Sequence, residues 1–172
     1  MSATIEPATD LDARAIAQVH VLAWQHAYRD LLPADYLAGL SVDWRETVWR
    51  DAIALGEPQV LVARLVGEVI GFASFGRSRD ADAPAGCAEL WAIYLSLTAW
   101  SRGIGRALWQ AAREALAAQG FGSVTLWVME GNARAIRFYE AAGFVLDADS
   151  AKRFEIGGQP LVEVRYRFTA MP

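Results

Sequence analysis

The chain has 172 residues, 54% of them hydrophobic, with a formal net charge of −4. That length and apolar content suit one domain, 1–172, with a real core, and exclude a disordered segment. The acidic balance argues against nucleic acid as a partner, since phosphate-tracking proteins carry a basic excess or stripe.

Residues 3–7 read as a short strand ending at Pro7. Asp10 is placed to cap a helix running to about Tyr28, with Leu11, Ala15, Ile16, Val19, Leu22 and Ala23 on one face. Pro33 opens a short helical turn through Leu40. Ser41 or Asp43 caps a further helix to about Leu55, which Gly56-Glu57-Pro58 breaks.

Gln59–Val66 and Val69–Gly76 are β-rich runs joined at Gly67-Glu68, a hairpin signal. Residues 77–86 are polar and carry Gly, Pro and Asp, so they form a loop. Cys87–Leu97 is again a strand, and strict alternation puts Glu89, Trp91, Ile93 and Leu95 on one face.

Gly103–Gln119 has helical spacing, and Gly120 ends it. Ser123–Met129 is a strand. Asn132 caps a helix to Ala142 that Gly143 terminates. Phe144–Leu146 and Leu161–Phe168 are strands, with the turn at Gly157-Gly158 between them. The order β-αα-βββ-α-β-α-ββ predicts an α/β protein of the α+β type: a mixed sheet with helices on its faces, not a regular doubly wound fold.

One cysteine, Cys87, and two histidines, His20 and His26, leave no cluster with metal-site spacing and no intrachain disulfide. Cys87 reads as a buried strand residue, since no histidine lies near it to activate a thiolate. The start, Met1 to Pro7, lacks the basic and apolar regions of a signal peptide. The longest apolar region, Val60–Phe75, is broken by Arg64 and Glu68. A cytoplasmic protein without membrane contact is the expectation.

The segment Ser101-Arg102-Gly103-Ile104-Gly105-Arg106 follows a strand and opens a helix. Glycines let a ligand approach the backbone, and the first helical turn offers unpaired N–H groups with a partial positive charge. Flanked by two arginines, this is an anion site suited to a pyrophosphate. A plain strand–helix turn is the bland alternative. A dinucleotide-binding fingerprint would want glycine at Leu108 and the turn directly after the strand, and neither holds.

The loop is preceded by Ala88-Glu89-Leu90-Trp91-Ala92-Ile93-Tyr94-Leu95. It is followed by Asn132-Ala133-Arg134-Ala135-Ile136-Arg137-Phe138-Tyr139-Glu140-Ala141-Ala142-Gly143-Phe144. This combination resembles the GNAT superfamily of acyl-CoA-dependent N-acetyltransferases. Trp100 stands where the family's phosphate loop usually has Arg or Gln, so no side-chain contact of that kind is expected there.

The resemblance implies a mostly antiparallel twisted sheet of about seven strands, its fourth and fifth splayed apart. It implies acetyl-CoA as cosubstrate, held by Arg102, Gly103, Ile104, Gly105 and Arg106, by the strand Ile93, Tyr94 and Leu95, and by Asn132 and Tyr139. Pantetheine would lie in the splay like an added strand, its thioester oxygen on the Ile93 N–H. Glu89 is the implied general base and Tyr139 the acid that protonates the departing thiolate, with a capping role for Asn132 and a core role for Tyr139 as the plainer alternatives. Glu130 is a weaker base candidate.

His20 and His26 fall on the first helix, which borders the acceptor side in this family. Trp24 and Tyr28 are candidates to line the acceptor pocket. The acceptor is an amine, direct transfer in a ternary complex the expected reaction, and no metal is needed. A non-catalytic acyl-CoA-binding module is the alternative. The terminal strands leave monomer and homodimer both open.

Overall fold

The computed structural model describes residues 2–172. β1 (Thr4–Pro7) leads into a 3-10 turn and α1 (Ala13–Ala27). Asp10 does not cap α1: the residue before the helix is Asp12, whose side chain bonds backward across the 3-10 turn, its Oδ2 accepting from Thr9 N–H at 2.9 Å and Thr9 Oγ1 at 3.1 Å. The buried stripe of α1 also differs from the expected one. Leu11 and Leu22 are exposed, while Ala13, Ile16, Ala17 and His20 pack inward at the i, i+3, i+4, i+7 spacing. A histidine took the place in the stripe that a leucine was expected to hold, because its ring finds a hydrogen-bond partner in the core.

α2 (Ala34–Ala38) and α3 (Val42–Leu55) follow, the latter capped by Ser41, whose Oγ accepts from Trp44 N–H at 3.1 Å. β2 (Gln59–Leu65) and β3 (Glu68–Arg77) form the expected hairpin. β4 (Cys87–Leu95), α4 (Ile104–Ala118), β5 (Ser123–Met129) and α5 (Ala133–Ala141) complete the motif-bearing half. The Asn132 side chain caps α5, accepting from Ala135 N–H at 3.2 Å.

β6 (Val145–Leu146), β7 (Lys152–Ile156) and β8 (Gln159–Phe168) close the chain. β7 was not expected; the glycine pair turns between it and β8. β6 and β7 lie one after the other along the outer edge of β8.

The sheet has eight strands in the order β1-β2-β3-β4-β5-β8-β6, with β7 on β8. β4 and β5 are parallel, and every other pairing is antiparallel. Helices cover both faces. α4 packs Leu108, Trp109, Ala112 and Leu116 with Ala73, Leu90 and Leu126 on one face. On the other, Ile16 and Ala17 of α1 and Trp49 of α3 meet Val62 and Phe72. Burial of these apolar side chains, about 1.5–3 kcal/mol for each of the larger aliphatic and aromatic ones, fixes the helices to the sheet.

Two irregularities position the site. The β4–β5 ladder runs only from Cys87–Ser123 to Glu89–Thr125 and then stops, so the strands splay from Leu90 onward. β4 also carries a bulge: Leu90 pairs with Phe75 and Ala92 with Ser74, leaving Trp91 as an extra residue.

The bulge changes which residues share a face. Ala88 and Leu90 before it, and Ile93 and Leu95 after it, all pack in the α4 core, whereas Ala92 and Tyr94 pack toward α1. Strict alternation had put Glu89 on the face of Ile93 and Leu95. The inserted residue breaks that parity, and Glu89 shares its face with Tyr94 instead.

Candidate active site

The splay opens a cavity of about 570 Å³ between β4 and β5, floored by α5 and ending on the start of α4. Ile93, Tyr94, Leu95, Gly103, Ile104, Gly105, Arg106, Asn132, Tyr139 and Tyr28 all line it. Arg102 does not; its exposed side chain lines a separate hollow with Leu65 and Val66.

Gly103 caps α4 in the left-handed region, φ 76°, which a side chain would strain. The first helical bond here is Ala107 N–H to Gly103 O at 3.0 Å, so the amides of Ile104, Gly105 and Arg106 precede it and face the loop unpaired by the helix. Gly105 is needed for a different reason. A Cβ there would sit 3.2 Å from the Phe138 ring, so the glycine lets α4 close on α5.

Main-chain groups of β4 supply the cavity's long wall. Ser96 N–H donates to Ile70 O at 2.8 Å. By alternation along the strand, the N–H and C=O of Ile93 and Leu95 turn away from β3 toward the splay, where β5 no longer pairs with them.

Trp100, where no side-chain contact of the usual polar kind was expected, lines this cavity, as do Arg134 and Arg137, to which no role had been given. The Arg134 guanidinium lies 3.5 Å from the Trp100 ring centroid, and His26 meets the same ring edge-on at 4.8 Å. Trp100 therefore holds a cation at the mouth where the family's usual polar residue would itself reach in. The basic positions inside the α5 motif were the available signal.

Phenols gather at the deep end. Burial pushes the Tyr139 hydroxyl well above the ordinary tyrosine range, and Tyr94 adds to the effect. Burial does the same for Tyr28, reinforced by Tyr94 and Tyr139. Tyr139 thus keeps its proton across the neutral range.

A second chamber, about 440 Å³, adjoins the first on the α1 side. Tyr28, Trp91, Tyr94 and Trp127 line both. Trp24 and Glu89 line only this one. Glu89 is 1% exposed, and both its oxygens are engaged by Arg79: the main-chain N–H at 2.9 Å and Nε at 3.3 Å on Oε2, and Nη2 on Oε1. Arg79 also stacks on Trp91 at 4.1 Å.

The loop after β3 is pinned over this chamber. Asp80 accepts from Trp127 Nε1 at 3.0 Å, from Lys152 Nζ at 3.2 Å and from Arg165 Nη1 at 3.1 Å. Burial alone would raise the Asp80 carboxyl, and these bonds outweigh it and hold the pKa below the usual range. Glu163 of β8 lines the same chamber. Glu130 is exposed and lines neither cavity, and Cys87 lies buried beside Thr125, away from both.

Comparison with known proteins decides the family. The sequence model of the Acetyltransferase (GNAT) family matches residues 22–144. This chain belongs to the GNAT acetyltransferase family. It is 38% identical over 162 residues to the uncharacterized N-acetyltransferase YuaI of Bacillus subtilis, covering 94% of this chain and 90% of that one. It is 30% identical over 119 residues to an L-methionine sulfoximine/L-methionine sulfone acetyltransferase of Pseudomonas paraeruginosa, covering 64% and 69%. In fold it matches a GNAT phosphinothricin acetyltransferase from Sinorhizobium meliloti solved with AcCoA, with a TM-score of 0.75 at 24% identity, covering 98% and 88%. The GNAT chain thus carries the mixed, splayed sheet of its family with one further strand, β7, beyond the expected seven.

Proposed function

We propose that this protein transfers the acetyl group of acetyl-CoA directly to a primary amine of a small molecule or peptide, with both substrates bound at once. The observation that carries this reading is the meeting of the two cavities at Tyr28, Trp91, Tyr94 and Trp127. One cavity ends on free helix amides and cations and suits the cofactor; the other holds carboxylates and aromatic rings and suits an amine.

In this reading the amides of Ile104, Gly105 and Arg106 hold the pyrophosphate, with the Arg106 guanidinium beside them. Arg102 adds charge from the flank. The pantetheine arm runs along the unpaired edge of β4 and bonds to main-chain groups of Ile93 and Leu95, past Tyr94 and Asn132. The acetyl oxygen accepts from the Ile93 N–H, which steadies the oxyanion as the amine attacks. Tyr139 gives its hydroxyl proton to the departing sulfur. Free alkylamines titrate near a pKa of ~10.4, so the acceptor arrives as an ammonium and must lose a proton before attack. Glu89 and Glu163 are the two carboxylates whose positions let them compete for it, and Trp24 and Tyr28 wall the acceptor side. The bond made is C–N, and the bond broken is C–S. The Pseudomonas relative, named for acetylating an amino-acid analogue, supports a compact acceptor.

The test is thiol release from acetyl-CoA across a panel of amines, amino acids, peptides and aminoglycosides. Release with at least one amine is expected. Acetyl-CoA binding without release on any of them makes the protein a binding module. Acetyl-CoA at 100 times its Kd should stabilise the parent by about 2.7 kcal/mol. Gly105→Glu puts a Cβ 3.2 Å from the Phe138 ring and adds a negative charge to the turn that holds the phosphates, and should abolish that gain. An equal gain in this variant refutes the loop assignment, and its melting without ligand reports any damage to the fold.

A further inference from the structure

We propose that Glu163 is the carboxylate that receives the ammonium of the acceptor and takes its proton, while Glu89 is a positioning residue that holds Arg79. The inference rests on the acetyl-transfer reading above and names the part of the site that reads the acceptor's charge.

Glu163 projects from β8, opposite Met129 of β5 and Lys152 of β7. It is half-buried and lines the acceptor chamber with Trp24, Tyr28, Trp91 and Tyr94. The other charged groups of that chamber are already spoken for. Glu89 is bound by Arg79. Asp80 is bound by Lys152 and Arg165. Lys152, although opposite Glu163 in register, turns its ammonium to Asp80 and over the Trp127 ring at 3.7 Å. Among the described residues the Glu163 carboxylate makes no hydrogen bond and no ion pair.

A chamber whose one unpaired charge is a carboxylate, walled by aromatic faces, selects a cation. The rings add cation–π attraction, and the carboxylate supplies the charge-assisted hydrogen bond. Desolvating Glu163 without a partner is unfavourable, and an ammonium ligand relieves that cost. Glu89 offers no such vacancy, since an arriving ammonium would have to displace a guanidinium that binds it through both oxygens.

The proton balance follows. Glu163 takes one proton from the ammonium and later releases it to water. The freed lone pair forms the C–N bond as the C–S bond breaks. The second nitrogen proton is the one that, in net, reaches sulfur through the Tyr139 hydroxyl. Burial raises the Glu163 carboxyl above the ordinary carboxylate range; Lys152 and Arg79 pull it back, and Glu89 and Asp80 push it further up, with the Tyr94 phenol also facing it. A base raised toward neutrality is the better proton acceptor at physiological pH.

Two measurements test this on the full chain. The first is binding of n-butylammonium at constant ionic strength, followed by calorimetry and by fluorescence of the chamber tryptophans. Glu163→Gln should weaken binding at least tenfold, and Glu89→Gln by less; equal affinity in parent and Glu163→Gln overturns the proposal whether or not any amine is acetylated. The second is kcat/KM against pH with an amine that the parent acetylates. Glu163→Gln should lower kcat/KM by about 10²–10⁴-fold near neutrality and erase the acidic limb, the loss shrinking toward the amine's own pKa. Glu163→Asp should keep the limb at a reduced rate. Glu89→Gln should be slower with the limb retained. An unchanged limb in Glu163→Gln, or a limb erased by Glu89→Gln, assigns the proton to Glu89 and overturns the proposal. A parent inert toward every amine that nonetheless binds butylammonium through Glu163 refutes acetyl transfer and leaves the cation site standing.

Discussion

Acidification should weaken this protein through His20 before it reaches the carboxylates whose pKa values are lowered. The ring is 6% exposed, accepts the Trp49 Nε1 proton at 3.1 Å on Nδ1 and stacks on Tyr94 at 5.1 Å. Burial first, then the positive charge of Arg45, pull its pKa from 6.5 to about 3. The folded state therefore excludes a proton that the unfolded chain binds below pH 6.5. Stability is full above that value and falls as pH drops through the window from 6.5 to 3, by about 1.4 kcal/mol per pH unit. Between pH 7.5 and pH 5.0 the loss is ~2 kcal/mol, or about 4–8 °C in Tm for a chain of this size. Asp12, Asp80, Asp82 and Asp147 have lowered pKa values, so their contributions are lost only below about 3.8 and lie outside this range; Glu163, raised by burial, favours the folded state as it takes up a proton and so opposes His20, equally in the parent and in a His20 variant. The assay is urea unfolding at half-unit steps from pH 7.5 to 5.0 in the parent and in His20→Gln, whose side-chain carbonyl can still accept from Trp49. The difference between the two curves should slope by about 1.4 kcal/mol per unit below pH 6.5. Parallel curves would show that His20 takes up a proton in the folded state and refute the reasoning.

Tyr139→Phe removes one oxygen from a ring packed between Phe138 and Phe144. Folding and acetyl-CoA binding should persist while turnover falls by about 10²-fold or more, and thioesters with a more acidic leaving thiol should recover rate; a parent-to-variant ratio flat across such a series removes Tyr139 from the acid role. Arg165→Met strips one guanidinium from Asp80, Asp82 and Asp147. Because Asp80 is 7% exposed at its side chain, the loss should be about 3 kcal/mol by chemical denaturation, and a change within 0.5 kcal/mol would mean that Lys152 and Trp127 hold the loop alone.

Much of the site was readable because its signals are local. Gly103, Gly105 and Asn132 act through backbone dihedrals, helix amides and a cap, all decided within a few residues. What escaped depends on partners far along the chain. Glu163, Arg165 and Arg167 alternate along β8 as solvent-facing charges do, yet the loop after β3 folds against the strand, its Asp80 and Asp82 binding Arg165, and all three are partly buried. Lys152-Arg153-Phe154-Glu155-Ile156 hid as a charged loop, although Phe154 and Ile156 alternate and pack beside Tyr28 and Leu161. Nothing within Cys87–Leu95 announces a bulge, since the register against β3 creates it. The assumption of strict alternation therefore misplaced Glu89 relative to Ile93.

The one extra residue in β4 also constrains how such a chain can vary. Point changes at Trp91 alter a wall that two chambers share. Flattening the bulge while keeping Trp91 would do something else, imposing period-two alternation on all nine residues of β4 and forcing a choice: Glu89 rotates into the oily layer beneath α4, or Ile93 and Leu95 rotate out of it. Either outcome buries a charge without a partner or exposes two aliphatic side chains. Over evolutionary time the extra residue and the bulge can therefore be kept or lost only together, and the bulge is as much a part of the site as any side chain in it.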